Sequence, residues 1–169
     1  MKEQEKYALL SKFSRALVKI PSLDEGLPFI SQKAKEIIGA DRCSVFIYSP
    51  DKNELWTTLA DGVEKIVIPF DMGIVGQTVR TKQPIIENDA YSNINFLSEI
   101  DAKTGYYTKN ILTSPVINSK REVIGVFQLL NKESDFTRED VEFITFFAHY
   151  VSGFLELEIK NTKEVVETL

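Results

Sequence analysis

Two apolar segments in the second half of the chain, joined by a short basic turn, place the strongest limit on the fold. The segments are NILTSPVIN (residues 110–118) and EVIGVFQLLN (residues 122–131), and only Ser119, Lys120 and Arg121 separate them. A connection of this length joins antiparallel strands, because parallel strands need a crossover of a dozen residues or more. The sequence therefore predicts a buried β-hairpin here, within a sheet that is antiparallel at this point.

A second hairpin is predicted nearer the N-terminus. The run from Arg42 to Ser49 is rich in β-branched and aromatic residues, and the run from Glu54 to Ala60 has the composition of a return strand. The intervening PDKN supplies turn chemistry. Two further short strands, EKIVIPF and PIIEN, bring the predicted sheet to about six strands.

Helical patterns flank the strands at both ends of the chain. Apolar residues recur at helical spacing from Glu3 to Ile20, and Pro21 ends that run. A second helix is predicted from an N-cap at Ser22 to a left-handed stop at Gly39, and a long final helix from Arg138 to about Glu167. Antiparallel hairpins with terminal helices and no βαβ alternation predict an α+β sandwich.

Composition excludes several classes of protein. The 169 residues are 43% hydrophobic, which fits one domain with its own core. A net charge of −5, with both signs mixed along the chain, argues against contact with nucleic acid or an anionic membrane. One cysteine, Cys43, and one histidine cannot form an internal disulfide or an ordinary His/Cys zinc site, so we predict no metal and a reducing, cytoplasmic setting. Neither a signal peptide nor a membrane span is predicted.

Catalysis finds little support in the sequence. The single histidine, His149, lies among Phe146, Phe147 and Tyr150 on the predicted long helix, and no serine or cysteine occupies a nucleophile motif. A structural histidine is therefore favoured over a general base. We expect a protein that is not an enzyme and has no catalytic residues.

Binding is better supported, at two places. GIVGQ sets Gly73 and Gly76 around the entry to a short helix, where the amides of Ile74 and Val75 would meet an anion, although a plain turn explains the same spacing. The aperiodic stretch of residues 89–110, in which SEIDAKTG is the most helical part, is long for an idle connection and predicts a lid or a binding loop.

Eight motifs agree in order and spacing with one known family. They are ADRCSVF (40–46), ELW (54–56), ADG (60–62), IPFDMGIVGQTV (68–79), NDAY (88–91), IDAKTGYYTKNIL (100–112), SPV (114–116) and EVIGVFQLLNK (122–132). With these motifs the chain resembles a GAF domain of the cyclic-nucleotide phosphodiesterase and adenylyl cyclase type. The resemblance implies a central antiparallel sheet with the N- and C-terminal helices on one face. Short helices and loops would cover a ligand pocket on the other face.

The resemblance also implies which residues meet a ligand. Ser44 and Asp61 would contact a purine edge, the lid would add three polar side chains, and Ala60 stands where some members place an aromatic ring. From the residues alone, the lid threonines could equally cap turns and the lid aspartate could be a solvated helix end. The implied ligand-binding positions are Ser44, Ala60, Asp61, Ile74, Val75, Asp101, Thr104, Thr108 and Gln128.

A family signature near the last strand implies a structural role. It reads Asn131, Lys132, Phe136 and Asp140, with Val141 where the family has glutamate. The lysine and the aspartate are expected to pair and to hold the last strand to the long helix. An ordinary strand-to-helix junction with a salt bridge fits the same residues.

The termini suggest how a signal would leave the domain. We expect an N-terminal connecting helix (residues 1–21), a GAF domain (22–156) and a helical extension (157–169) towards an output domain. Residues in the last helix continue at the rhythm of a coiled-coil seam, which favours a homodimer through the terminal helices: Leu155, Ile159, Thr162, Val166 and Leu169. The expected ligand is cyclic AMP or cyclic GMP, without any cofactor; the alternative is a module that dimerises and transmits signals with no ligand.

Overall fold

The computed structural model describes residues 2–57 and 66–168, with side chains as far as Asn161. The predicted site residues Ala60 and Asp61 lie outside the described residues, as does the predicted seam position Leu169. The side chains of Thr162 and Val166 are likewise not described. The elements in chain order are α1 (Glu3–Leu17), α2 (Leu23–Ile38), β1 (Ala40–Ser49), β2 (Glu54–Thr57), β3 (Ile66–Pro69), α3 (Gly73–Thr81), β4 (Ile85–Glu87), a 3-10 turn (Ala90–Ser92), α4 (Ser98–Thr104), β5 (Ile111–Ile117), β6 (Val123–Lys132) and α5 (Arg138–Thr168).

Six strands form one antiparallel sheet in the order β3-β2-β1-β6-β5-β4. The two predicted hairpins are β1–β2 and β5–β6, and the long β1–β6 pairing joins them at the centre of the sheet. The predicted α+β sandwich with about six strands is confirmed.

Helices α1, α2 and α5 pack together on one face of the sheet. The period of two along β1 sends Cys43, Val45 and Ile47 to this helical face, where they share a core with Phe127 and Phe147. Ring centroids of the two phenylalanines lie 5.5 Å apart in an edge-to-face arrangement, which aromatic pairs favour. The opposite face of the sheet remains for a pocket and its cover.

Helix α1 ends three residues before the predicted boundary. The structure ends the helix at Leu17, whereas the sequence pattern runs to Ile20. The amides of Lys19 and Ile20 bond carbonyls three residues back, which tightens the chain into a turn. Pro21 explains this ending, because a residue that precedes proline is disfavoured in helical conformation.

On the other face, α3 is fixed to the sheet through polar and close contacts. The hydroxyl oxygens of Thr78 and Thr113 lie 2.6 Å apart, and both residues are fully buried. A Cβ at Gly76 would lie 2.6 Å from the Phe70 carbonyl oxygen, so only glycine permits this approach of helix and turn. The N-terminus of α3 is thereby held over the centre of the sheet.

The family signature lies at the junction of β6 and α5. Lys132 Nζ is 2.8 and 2.7 Å from the two carboxylate oxygens of Asp140, which is almost fully buried. Asp140 also accepts the Thr137 backbone amide, while its own amide donates to the Thr137 hydroxyl, which completes a capping box. The signature thus joins the last strand to the long helix, and these contacts leave the pocket face untouched.

Within the described residues, none of the helices combines the length and the apolar character that crossing a bilayer requires.

Candidate functional site

A cavity of about 70 Å³ lies between the sheet and the segment of residues 89–110, here named the lid. Three groups of side chains meet there: the pocket-facing residues of β1 and β6, the first turn of α3, and the lid. Seven of the nine predicted ligand positions line it, and the other two fall in the stretch that is not described. Those seven are Ser44, Ile74, Val75, Asp101, Thr104, Thr108 and Gln128.

The sheet supplies a polar floor to this cavity. Ser44 on β1 and Gln128 on β6 are direct cross-strand partners, so both side chains point to the same face. Arg42, two residues before Ser44, shares that face by the period of two and also lines the cavity. The floor therefore carries a hydroxyl, an amide and a guanidinium.

The first turn of α3 supplies backbone amides. Met72 is the N-cap and offers no capping side chain, while Gly73 adopts φ 73°, a left-handed conformation that suits glycine. The amides of Ile74 and Val75 belong to the first turn, where a helix has no internal acceptor for its N–H groups. Both residues are buried against the cavity, so this end of the helix can receive an anion or a polar ligand group.

On the lid, Asp101 is engaged by other lid residues. Its carboxylate accepts the Thr108 amide at 2.8 Å, the Thr108 hydroxyl at 2.8 Å and the Tyr91 hydroxyl at 2.7 Å. The hydrogen bond to Asp101 raises the pKa of Tyr91 to about 12. Asp101 and Thr108 are both buried, so their polar atoms are satisfied internally while they line the cavity.

The sequence left open that Thr104 caps a turn and that Asp101 is a solvated helix end. The structure supports the first alternative and contradicts the second. Thr104 is exposed; its hydroxyl donates to the Ile100 carbonyl at 2.9 Å within α4 and accepts the Tyr106 amide at 3.4 Å, and the second bond is the turn-capping role left open from the residues alone. Asp101 is not a solvated helix end, because only 7% of its surface is exposed. The alternative that Asp101 is a solvated helix end is therefore wrong. A buried carboxylate needs hydrogen-bond donors, and Tyr91 and Thr108 supply them.

A second polar cluster joins the lid to β1. The Tyr106 hydroxyl donates to the Asp41 carboxylate at 2.7 Å and accepts from the Asn131 side-chain amide at 3.0 Å. Burial and the bond to Asp41 raise the pKa of Tyr106 above its usual range. The Arg42 guanidinium lies 3.8 Å from the centre of the Tyr106 ring, a cation–π contact. The ring thus closes one end of the cavity.

The ligand positions predicted from the sequence did not include Arg42, Tyr91 or Tyr106, and left open whether Tyr106 and its neighbour Tyr107 close over a ligand or cover the sheet edge. Arg42 could have been found, because it precedes Ser44 by two residues and a strand places such residues on one face. The tyrosines could not, since their contacts with Asp41 and Asp101 depend on how the lid folds back. Of the neighbouring pair, Tyr106 lines the cavity while the Tyr107 ring is exposed and stacks on Tyr91.

The described part of the chain, residues 2–57 and 66–168, contains no group of three His, Cys, Asp or Glu side chains that could hold a metal ion.

With this fold and pocket in view, comparison with known proteins identifies the class. The family model for the GAF domain matches residues 22–155, so the chain belongs to the GAF domain family. Domains of this family are generally regulatory modules.

Two relatives are cGMP-specific 3',5'-cyclic phosphodiesterases. The protein from Drosophila mojavensis is 35% identical over 140 residues, covering 73% of this chain and 12% of the relative. The protein from Drosophila melanogaster is 38% identical over 112 residues, covering 63% of this chain and 10% of the relative. The chain therefore spans about a tenth of the length of these curated relatives.

Solved structures agree on the fold. The GAF domain of a phosphoenolpyruvate-protein phosphotransferase from Coxiella burnetii has a TM-score of 0.82 at 19% identity, with 99% of both chains covered. Its Acinetobacter counterpart has a TM-score of 0.81 at 16% identity and covers 96% of this chain and 99% of the other. A free methionine-R-sulfoxide reductase from Neisseria meningitidis, with a TM-score of 0.77 at 16% identity, covers 92% of this chain and 91% of the other.

Proposed function

We propose that this chain is a sensory domain that binds a cyclic nucleotide, cyclic GMP or cyclic AMP, beneath the lid. It would relay occupancy through α5 of a cytoplasmic dimer to an attached output domain. It acts by binding and contributes no catalytic residue. The relatives named as cGMP-specific phosphodiesterases support a cyclic nucleotide as the ligand, and membership of the GAF family supports the regulatory role.

One observation carries the proposal: three elements that are distant in sequence bring complementary polar groups to one cavity. The first turn of α3 would receive the cyclic phosphate through the amides of Ile74 and Val75. Ser44 and Gln128 would pair with the purine edge from the sheet. Thr108 would contact the ligand from the lid.

The lid has to open before such a ligand enters. Binding sites for small molecules usually measure about 300 to 1,000 Å³, whereas this cavity measures about 70 Å³. The Asp101–Thr108 and Tyr106–Asp41 hydrogen bonds are the polar contacts that a moving lid would break or rearrange. A ligand that prefers one lid position would shift the population towards it.

The connection from lid to output would pass through the sheet to α5. Asn110, at the end of the lid, donates to the carbonyls of Lys132 and Ser134 and accepts the Lys132 amide. Lys132 in turn pairs with Asp140 in the first turn of α5. A change in the lid therefore has a short polar route to the start of the long helix.

A second candidate function is dimerisation and transmission without a small ligand. The small cavity favours it, because the polar groups of Asp101 and Thr108 are already satisfied by each other. The helical layer also presents a cluster of exposed aromatic rings, Tyr7, Phe146 and Tyr150, which a second copy could cover.

Calorimetry of ligand-stripped protein with cyclic GMP and cyclic AMP tests the first function. We expect a saturable heat with at least one of the two, and an affinity lowered about fivefold or more by Gln128→Ala, which removes a floor contact without touching the lid. Absence of heat and of any thermal shift at millimolar ligand would refute the ligand proposal.

Light scattering tests the dimer separately. The protein should be dimeric at micromolar concentration, and Phe146→Ser should shift it towards monomer. A protein that stays monomeric at high concentration contradicts both the dimer relay and the second candidate function.

A further inference from the structure

A second, larger cavity lies on the helical side of the sheet, away from the lid. It measures about 450 Å³, within the range of small-molecule sites. Its walls are the link between α3 and β4, the end of β5, and one side of α5. We name it the edge cleft, and its lining includes Lys82, Pro84, Ser114, Phe146, Ala148 and His149.

The strand pattern explains why a cleft exists at this position. The short β4 pairs with β5 only as far as Ile85 opposite Thr113, so Ser114 is the first β5 residue beyond that pairing. Leu112 and Val116 point to the helical core, and the period of two places Ser114 between them on the same face. The sheet edge is thus uncovered where it meets α5.

Ser114 provides an unusual polar group in this place. The residue is fully buried, and its hydroxyl oxygen has no hydrogen-bond partner among the described residues. A buried hydroxyl without a partner costs about 1–3 kcal/mol, and most buried polar groups in native proteins avoid that cost. A molecule in the edge cleft would offer the missing partner once the side chains that cover the hydroxyl move aside.

Lys82 provides a cation in the lining of the edge cleft. It is the C-cap of α3 with φ 57°, in the left-handed region where glycine or asparagine is the usual choice. Its backbone amide bonds the Thr78 carbonyl at 2.8 Å, which fixes its position. No ion pair to Lys82 occurs in the described part of the chain, and the cleft carboxylate, Glu142, is paired with Arg138.

The charges and the apolar walls together define a ligand. Among the cleft residues that the structure describes, Lys82 leaves one positive charge that no carboxylate balances. Pro84, Ala148 and the Phe146 ring provide apolar surface beside it. We propose that the edge cleft is a second binding site, distinct from the lid pocket, for a small monocarboxylate with an apolar body. The carboxylate pairs with Lys82, and a carboxylate oxygen accepts a hydrogen bond from Ser114.

Nuclear magnetic resonance of the full chain, with 3-phenylpropionate as the probe, tests this site. We expect saturable shifts at Ser114, Ile117 and His149, without shifts at Thr108 in the lid pocket. The uncharged analogue 3-phenylpropanamide should bind about tenfold more weakly, because it cannot pair with the ammonium group. Absence of shifts at the cleft at millimolar probe, or equal binding of acid and amide, overturns the proposal.

Three variants, two of them a matched pair, separate binding from folding. Lys82→Gly removes the cation and relieves a positive φ, so it should fold and lose the preference for the acid over the amide. Arg121→Gly, at φ 64° in the β5–β6 turn, makes the same kind of change outside the cleft and should leave binding intact. Ser114→Ala removes the unpaired hydroxyl and should lower the affinity for 3-phenylpropionate about fivefold. Unchanged affinity in both Lys82→Gly and Ser114→Ala contradicts the site.

Discussion

Asp101 and Thr108 are joined twice: one carboxylate oxygen of Asp101 accepts the Thr108 hydroxyl and the other accepts the Thr108 backbone amide, each at 2.8 Å. The pair closes the lid segment on itself, from the middle of α4 to the residues before β5. Because both side chains are buried, the pair is a stability element as well as a wall of the cavity.

Removing the Thr108 hydroxyl should therefore destabilise the domain. Thr108→Val keeps the shape but leaves a buried oxygen of Asp101 without its donor, at a cost of about 1–3 kcal/mol. Thr108→Ser retains the hydroxyl and should cost less. Urea denaturation of both variants measures the difference, and equal stability of valine and serine variants would contradict the role of this hydrogen bond.

Tyr91 should titrate at unusually high pH. The hydrogen bond to Asp101 raises its pKa from 10.0 to about 12. A pKa that is raised on folding adds stability below pH 10.0, and that contribution is lost as the pH rises through about 12. Ultraviolet titration of the wild type and of Tyr91→Phe, compared by difference, measures the ionisation of the Tyr91 hydroxyl alone. In Asp101→Asn the pKa of Tyr91 should return towards 10.0.

The buried ion pair at the start of α5 should matter far more than an exposed one. Lys132→Met leaves the Asp140 carboxylate, 2% exposed, without its cation and should cost about 3 kcal/mol. Arg138→Gln breaks an exposed pair with Glu142 on the same helix and should cost less than about 0.5 kcal/mol. Similar losses in the two variants, measured by thermal and chemical unfolding, would refute the distinction.

Alanine substitution at two glycines, Gly76 and Gly153, should change the stability of the domain in opposite directions. Gly76→Ala brings a Cβ to 2.6 Å from the Phe70 carbonyl oxygen, so the turn before α3 has to shift and the domain should be destabilised. Gly153 lies inside α5 with nothing within 4 Å of its would-be Cβ, so Gly153→Ala should stabilise by about 0.5–1 kcal/mol. Melting temperatures of the two variants on either side of the wild type are the expected result.

The hairpins could be predicted from the sequence because their information is local. The turn predicted from the sequence, residues 119–121, is short and lies within the observed connection of residues 118–122, and the apolar runs beside it identify the strands without any distant contact. The end of α1 was less predictable, since apolar spacing continued to Ile20 while Pro21 governed the backbone.

The partners of the lid residues could not be predicted in this way. A buried Asp101 needs hydrogen-bond donors, but the sequence does not say whether a ligand or Tyr91 and Thr108 provide them. The volume of the cavity could not be predicted from the sequence either, because it depends on how side chains from β1, α3 and the lid pack together. Family resemblance identified the positions that converge there, and packing decided how much room they leave.

The small cavity beneath the lid sets a thermodynamic condition on anything larger that binds there. Such a molecule engages only the fraction of the population whose lid is open, so its apparent dissociation constant equals the intrinsic constant divided by that fraction. The hydrogen bonds that stabilise the closed lid, Tyr106 to Asp41 among them, therefore weaken binding as they strengthen the fold. A residue that never touches the bound molecule can in this way set the concentration at which the domain responds.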